Sequence, residues 1–188
     1  TGPPKGVMLS HRNIAWTSGI TREVANVTEH DCNASYLPLS HIAEQMFSIY
    51  SPITYGSTVY YAESLDALPE NLKEIQPTVF FGVPRIWEKF HAAIGAKLKG
   101  ASGAKKLLVD WAMGVSRRVH ARQHRGEEVT GLLARQYALA RKLVFSKLKP
   151  AIGLGRARFC VSGAAPISAE LLEFFTGLDI TILEVYGQ

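Results

Sequence analysis

Two hydrophobic rhythms alternate along this chain. Short apolar runs, bounded by Pro, Gly or Ser, give way to longer stretches in which apolar residues return every three or four positions. The runs ASYLPL (34–39), STVYYAE (57–63), PTVFFGV (77–83), RARFCVSG (156–163) and DITILEVYG (179–187) are rich in β-branched and aromatic residues and predict strands. PTVFFGV lies between Pro77 and Pro84 as a continuous apolar run, the mark of a strand buried on both faces. Between the runs lie helical patterns. Ser10 is an N-cap for a helix over about 11–27, and the unbroken apolar stretch 41–55 predicts a buried helix. Ser64 or Asp66 caps a helix over about 67–75, and Pro84 opens RIWEKFHAAIGAKLKG, which ends at Gly100. Ser168 caps AELLEFFTG, with Gly177 as its stop. Strands alternating with helices imply βαβ units, so the expected class is α/β: a parallel sheet with flanking helices.

Residues 104–149 break the alternation. Leu107, Leu108, Trp111, Val115 and Val119 fall near one helical face, and Leu133, Tyr137, Ala140 and Val144 make a second. With a turn from Gly126 to Gly131, they predict a helical hairpin inserted at about 104–149. Charge singles out the same region. Residues 97–149 hold 13 of the 21 Lys+Arg and only three acids, a net of +10, while the rest of the chain carries −5. Arg117, Arg118, Arg122, Arg125, Arg135, Arg141 and Lys142 largely occupy the polar side of the hairpin.

Composition adds little: 188 residues, 47% hydrophobic and 20% charged, describe one globular domain or part of a larger one, not a disordered chain. No apolar run is long enough to span a membrane. Cys32 and Cys160 lie far apart, with no metal or redox spacing, and are expected to be buried thiols in a reducing compartment.

Four segments carry candidate chemistry. TGPPKG opens the chain. Its Gly2 and Gly6 let backbone N–H groups approach a phosphate, and Lys5 adds a compact positive charge, although the spacing is not that of the common P-loop. LPLSHIAEQ (37–45) places His41 after a strand and at the start of a helix, where an imidazole can orient a carboxylate or an α-phosphate. VSGAAPIS (161–168) closes a strand with Gly163, Ala164 and Ala165, small enough for a flat ring to lie against backbone. EVYGQ ends the chain with an aromatic face on Tyr186, followed by Gly187 and Gln188. Each alone reads equally as a turn, a cap or packing.

In order and spacing the four resemble the adenylate-forming AMP-binding superfamily of acyl-CoA synthetases, adenylation domains and luciferases. That family's phosphate loop reads Thr-Ser-Gly-Thr-Thr-Gly-x-Pro-Lys-Gly, and this chain begins at its last threonine, Thr1. The family's adenine segment is matched by Gly163 to Pro166, and its Tyr-Gly-x-Thr/Ser-Glu motif by Tyr186, Gly187 and Gln188. PTVFFGVPRIWEK, the KLVFSKLKPAIGLGRARFCVSGAAPIS tract and the hairpin are similar to long-chain fatty-acid–CoA ligases of the bubblegum-type group. On this resemblance residues 1–188 are one segment of the AMP-binding domain, truncated at both ends: a partial domain of a larger enzyme.

The resemblance implies that a fatty acid and ATP become an acyl-adenylate with release of pyrophosphate, and that CoA then takes the acyl group. It assigns Thr1, Gly2 and Lys5 to the β/γ-phosphates and His41 to the α-phosphate and acyl carboxylate. It gives Gly163, Ala164 and Ala165 to the adenine wall and Tyr186 to stacking, with Gly187 and Gln188 where nucleotide and carboxylate meet. The glutamate that holds Mg²⁺ falls beyond Gln188, so the segment alone is expected to be inactive. Gln45 stands where some long-chain members have a gating Trp, so an indole gate is not expected. The basic hairpin suggests contact with anionic lipid, the location implied is cytoplasmic and peripheral to a membrane, and a truncated sheet suggests self-association. The rival readings are a ligase for aryl or medium-chain acids and a non-catalytic nucleotide-binding module. Nucleic acid is not expected as a partner, because the basic block lacks interleaved aromatics.

Overall fold

The computed structural model describes residues 6–100 and 102–187. They fall into two compact units, one running to Leu68 and the other from Pro69.

In the first unit, α1 (His11–Ala25) starts where the sequence predicts. The Ser10 hydroxyl accepts the Asn13 N–H at 3.2 Å and the Asn13 side chain accepts the Ser10 N–H at 3.0 Å, a reciprocal cap that satisfies otherwise orphaned donors. β1 (Cys32–Ser35) and β2 (Thr58–Tyr61) pair in parallel, Cys32 opposite Thr58. Between them α2 (Ile42–Gln45) passes through a π turn (Met46–Tyr50) into α3 (Ser51–Tyr55).

Two expectations are corrected here. β1 lies at 32–35, not 34–39: the LPL run belongs to the loop after it. The 41–55 helix is not an apolar buried rod. Its buried stripe is Glu44, Ser48, Ser51 and Tyr55, at helical spacing, while Ile53 is 79% exposed within this unit. Polar residues take the inner face because they find partners there: Glu44 bonds β1 and its loop, and the Tyr55 hydroxyl donates to the Ser18 carbonyl of α1.

In the second unit, α4 (Leu68–Ile75) precedes β3 (Val79–Gly82), which lies beside β4 (Phe159–Ser162), itself beside β5 (Ile182–Glu184). All pair in parallel, in register Gly82–Ser162–Glu184 at their carboxyl ends. β3 is buried throughout, as its continuous apolar run predicts. α5 (Pro84–Lys99) follows it, and Trp87 packs edge-on against Phe80 and Phe175, with ring centroids 5.5 and 5.1 Å apart. The Trp87 ring requires Gly82: a Cβ there would lie 2.7 Å from Trp87 Nε1, which instead donates to the Gly82 carbonyl at 3.0 Å.

The inserted hairpin is present as α6 (Gly103–His124), α7 (Gly131–Ala140), a second π turn (Arg141–Phe145) and α8 (Ser146–Ala151). Val115, Val119, Ala140 and Val144 form its core with Ala112 and Phe145, and Trp111, Leu133 and Tyr137 close around them. Leu107 and Leu108 depart from the expected face, being 72% and 37% exposed. α9 (Ala169–Gly177) connects β4 to β5, capped by Ser168, whose hydroxyl accepts the Leu171 N–H at 3.3 Å.

Candidate functional site

In the first unit the loop after β1 carries His41 to the start of α2. The His41 N–H donates to the Pro38 carbonyl at 2.9 Å, and its Nδ1 accepts the Ala43 N–H at 3.2 Å. With Nδ1 an acceptor, the neutral ring carries its proton on Nε2. The orientation of the ring is thus set by its own helix.

Two neighbours that the residue pattern did not single out as polar anchors hold this loop. Glu44, 3% exposed, accepts from the Ser35 hydroxyl, from the Ser48 hydroxyl at 2.5 Å and from the Leu37 N–H at 3.2 Å. Gln45 donates through Nε2 to the Leu39 carbonyl at 2.7 Å and accepts from the Tyr50 hydroxyl at 3.1 Å. Gln45 is thus a clasp on the loop. The available signal for Glu44 was a single acid in the otherwise uncharged helix that follows His41.

In the second unit the carboxyl ends of β4 and β5 bring Gly163, Ala164 and Ala165 to the same edge as Tyr186 and Gly187. Val185 donates its N–H to the Ser162 carbonyl at 2.9 Å, locking the two strand ends together. Gly163 is required there, since a Cβ would lie 2.9 Å from Val185 Cγ2 and 3.3 Å from the Phe81 ring. Ala164 has φ +71°, a left-handed conformation costing a non-glycine residue about 1 kcal/mol and typical of ligand-facing turns. The Ile167 N–H reaches Glu184 Oε1 at 3.5 Å, so β5 also tethers the turn leading into α9. The Tyr186 side chain is 88% exposed, and open space surrounds the Gly187 Cα. Among the described residues the buried Ser162 hydroxyl finds no hydrogen-bond partner. Thr1, Gly2, Lys5 and Gln188, the other expected ligands, lie outside the described residues.

At the amino end of β5 a different cluster forms. Asp179 (φ +62°) receives the Tyr137 hydroxyl at 2.5 Å, His120 Nε2 at 3.3 Å and Lys149 Nζ at 3.5 Å, while Lys149 also donates to its carbonyl at 2.8 Å. Burial pushes this carboxyl up, but the hydrogen bonds from His120 and Tyr137 and the charge of Lys149 outweigh it, leaving it below the ordinary carboxylate range. Burial and the bond to Asp179 raise the Tyr137 phenol. Nearby Cys160, fully buried, is pushed up to about 12 by burial, which makes it an inert thiol. His120, Tyr137 and Lys149 all come from the hairpin, so the cluster ties the insertion to the sheet. Among the described residues no group of three or more His, Cys, Asp or Glu is placed to hold a metal ion.

In open α/β sheets, ligands bind in the crevice outside the carboxyl ends of the strands. The AMP-binding enzyme family matches residues 1–188, and the chain belongs to that family. Among curated relatives, long-chain-fatty-acid–CoA ligase ACSBG2 of Homo sapiens is 44% identical over 192 residues, covering all of this chain and 28% of that protein. The putative fatty-acid–CoA ligase fadD11 of Mycobacterium tuberculosis (strain H37Rv) is 35% identical over 188 residues, with 33% of its length covered. The chain therefore spans about a third or less of these relatives. The adenylation domain of carboxylic acid reductase from Segniliparus rugosus, in complex with AMP and a co-purified carboxylic acid, superposes on all of this chain with a TM-score of 0.61 at 23% identity, over 26% of its own length. A long-chain-fatty-acid-CoA ligase (FadD1) from Archaeoglobus fulgidus does so at 0.58 and 17%, over 29% of its length. These two likenesses speak for the fold alone.

Proposed function

We propose that these residues form part of an ATP-dependent long-chain fatty-acid–CoA ligase. The observation that carries this reading is the whole-chain 44% identity to a curated ligase of that class. In the proposed reaction a fatty-acid carboxylate oxygen attacks the α-phosphorus of ATP and the bond to pyrophosphate breaks. The CoA thiol then attacks the acyl carbon of the adenylate, and AMP leaves with the carboxylate oxygen. Such transfers depend on positioning and charge stabilisation more than on covalent help from the protein.

Each residue has a part in this scheme. The backbone of Gly163, Ala164 and Ala165 is a shelf for adenine and the Tyr186 ring is its stacking face, which suits an exposed phenol beside a close-packed turn. His41 donates from Nε2 to the acyl carboxylate or α-phosphate. Thr1, Gly2 and Lys5 cradle the β/γ-phosphates, and Gly187 and Gln188 flank the reacting oxygens. Mg²⁺, when bound, would neutralise charge on the phosphates. Long acyl chains are favoured over aryl or medium-chain acids because the human ACSBG2 relative is a long-chain-fatty-acid–CoA ligase.

A cytoplasmic location, peripheral at a membrane, belongs to the same proposal. Its support is the +10 charge of residues 97–149, whose Arg117, Arg118 and Arg122 are exposed, each worth about 1 kcal/mol near anionic lipid. No described helix is long and apolar enough to cross a membrane. Self-association of the isolated segment through the open edges of its parallel sheets is part of the proposal too.

The test is ATP–pyrophosphate exchange by a full-length protein carrying these residues. Exchange that requires palmitate, and that falls about a hundredfold in His41→Ala, supports the reading. Exchange without any acid dependence contradicts it.

A further inference from the structure

We infer that Glu44 is a positioning residue for His41, and that it works by shape and not by charge. The inference rests on the assignment of His41 to the reacting centre. Its own ground is the geometry around one buried carboxylate. Three donors converge on Glu44, and they come from three places: Ser35 at the carboxyl end of β1, the Leu37 N–H in the loop, and Ser48 one turn along the helix. Strand, loop and helix are thereby tied at one point. His41 lies between the tied positions, and its backbone N–H is already bound to Pro38 inside that loop. Gln45 adds a second tie, at Leu39.

Glu44 uses both oxygens to fix the segment that carries His41. Reacting groups must be held within a fraction of an ångström, and a loop displaced by about 1 Å costs on the order of a hundredfold in rate. The donors also say what the side chain must supply. Two are hydroxyls, which rotate and can accept as readily as donate, and the third is a backbone N–H. A glutamine can therefore turn its carbonyl to Leu37 and its amide to the two hydroxyls, keeping every bond. An alanine keeps none.

The experiment uses a full-length ligase carrying these residues, with kcat measured per folded molecule well below the melting temperature. Glu44→Ala is expected to lower kcat for adenylate formation about tenfold to a hundredfold. Glu44→Gln is expected to restore most of the loss. Glu44→Ala combined with His41→Ala is expected to be no slower than His41→Ala alone, because the first acts through the second. A purely structural Glu44 would lower the melting temperature and leave kcat per folded molecule unchanged; that unchanged rate overturns the inference, and so does a double variant slower than His41→Ala alone. If Glu44→Ala does not fold, Ser35→Ala with Ser48→Ala removes two of the three ties and must lower kcat in the same direction, an unchanged rate being contrary. The two failures are distinct. If His41→Ala keeps the parental rate, the assignment of His41 falls and takes this inference with it. If His41→Ala loses rate and Glu44→Ala does not, the positioning role alone is wrong.

Discussion

Glu44 and Asp179 are both buried acids, one in each unit, held by opposite kinds of donor. Glu44 sits among two hydroxyls and a backbone N–H, all neutral. Asp179 faces the phenol of Tyr137, the imidazole of His120 and the ammonium of Lys149, with the Arg141 guanidinium 3.9 Å away. The neutral cage holds a loop in shape and tolerates reversal, since hydroxyls can switch from donating to accepting. The cationic cage cannot switch, because ammonium and guanidinium have no acceptor to offer. One acid therefore answers to geometry and the other to charge. The first lies beside the candidate reacting group, and the second joins the hairpin to the sheet.

The largest effect expected from this contrast is on folding. Asp179→Ala leaves His120 and Tyr137 without their acceptor and Lys149 without its ion pair, and should destabilise the chain by about 3 kcal/mol, read from urea unfolding. Glu44→Ala should cost less, about 2 kcal/mol, because its stranded donors are neutral. A larger loss for Glu44 than for Asp179 would break the contrast.

The isosteric pair sharpens it further. Asp179→Asn turns an amide N–H toward Lys149 and Arg141, which only donate, and should cost about 2 kcal/mol. Glu44→Gln should cost under about 1 kcal/mol. Acid titration gives the smallest and most selective signal. Because the Asp179 carboxyl is depressed on folding, it contributes stability that is fully present above the unfolded carboxylate value of about 4. That contribution is lost as pH falls through the lower folded value. Stability measured between pH 5 and pH 2 should therefore fall less steeply in Asp179→Asn than in the parent, and parallel slopes would contradict the charge-based reading.

Local signals made much of this fold legible. Ser10 and Ser168 cap their helices where their hydroxyls precede apolar periodicity. Leu133, Tyr137, Ala140 and Val144 mark the hairpin's inner face through spacing alone. What stayed hidden depends on partners distant in sequence. Asp179 meets His120, Tyr137 and Lys149 across 59, 42 and 30 residues, a convergence that no window along the chain reveals. Glu44 lies in a stretch that reads as an unbroken apolar helix, and its role appears only when the serine of a strand nine positions earlier is seen to donate to it. The apolar LPL run reads as strand, yet the loop is held by side-chain ties at Leu37 and Leu39 instead of a ladder. At the candidate site the residue types around Gly163 and Tyr186 were legible. The left-handed turn at Ala164 was not, because alanine gives no signal for it.

The most direct test is a crystal structure of a full-length protein carrying these residues, bound to a non-hydrolysable acyl-sulfamoyl adenosine. The account predicts the purine lying on the backbone of Gly163, Ala164 and Ala165 with the Tyr186 ring against it. It also predicts His41 Nε2 within about 3.2 Å of an oxygen at the acyl–sulfamoyl junction. A purine bound away from the carboxyl ends of β4 and β5, or an imidazole turned from that junction, would contradict it.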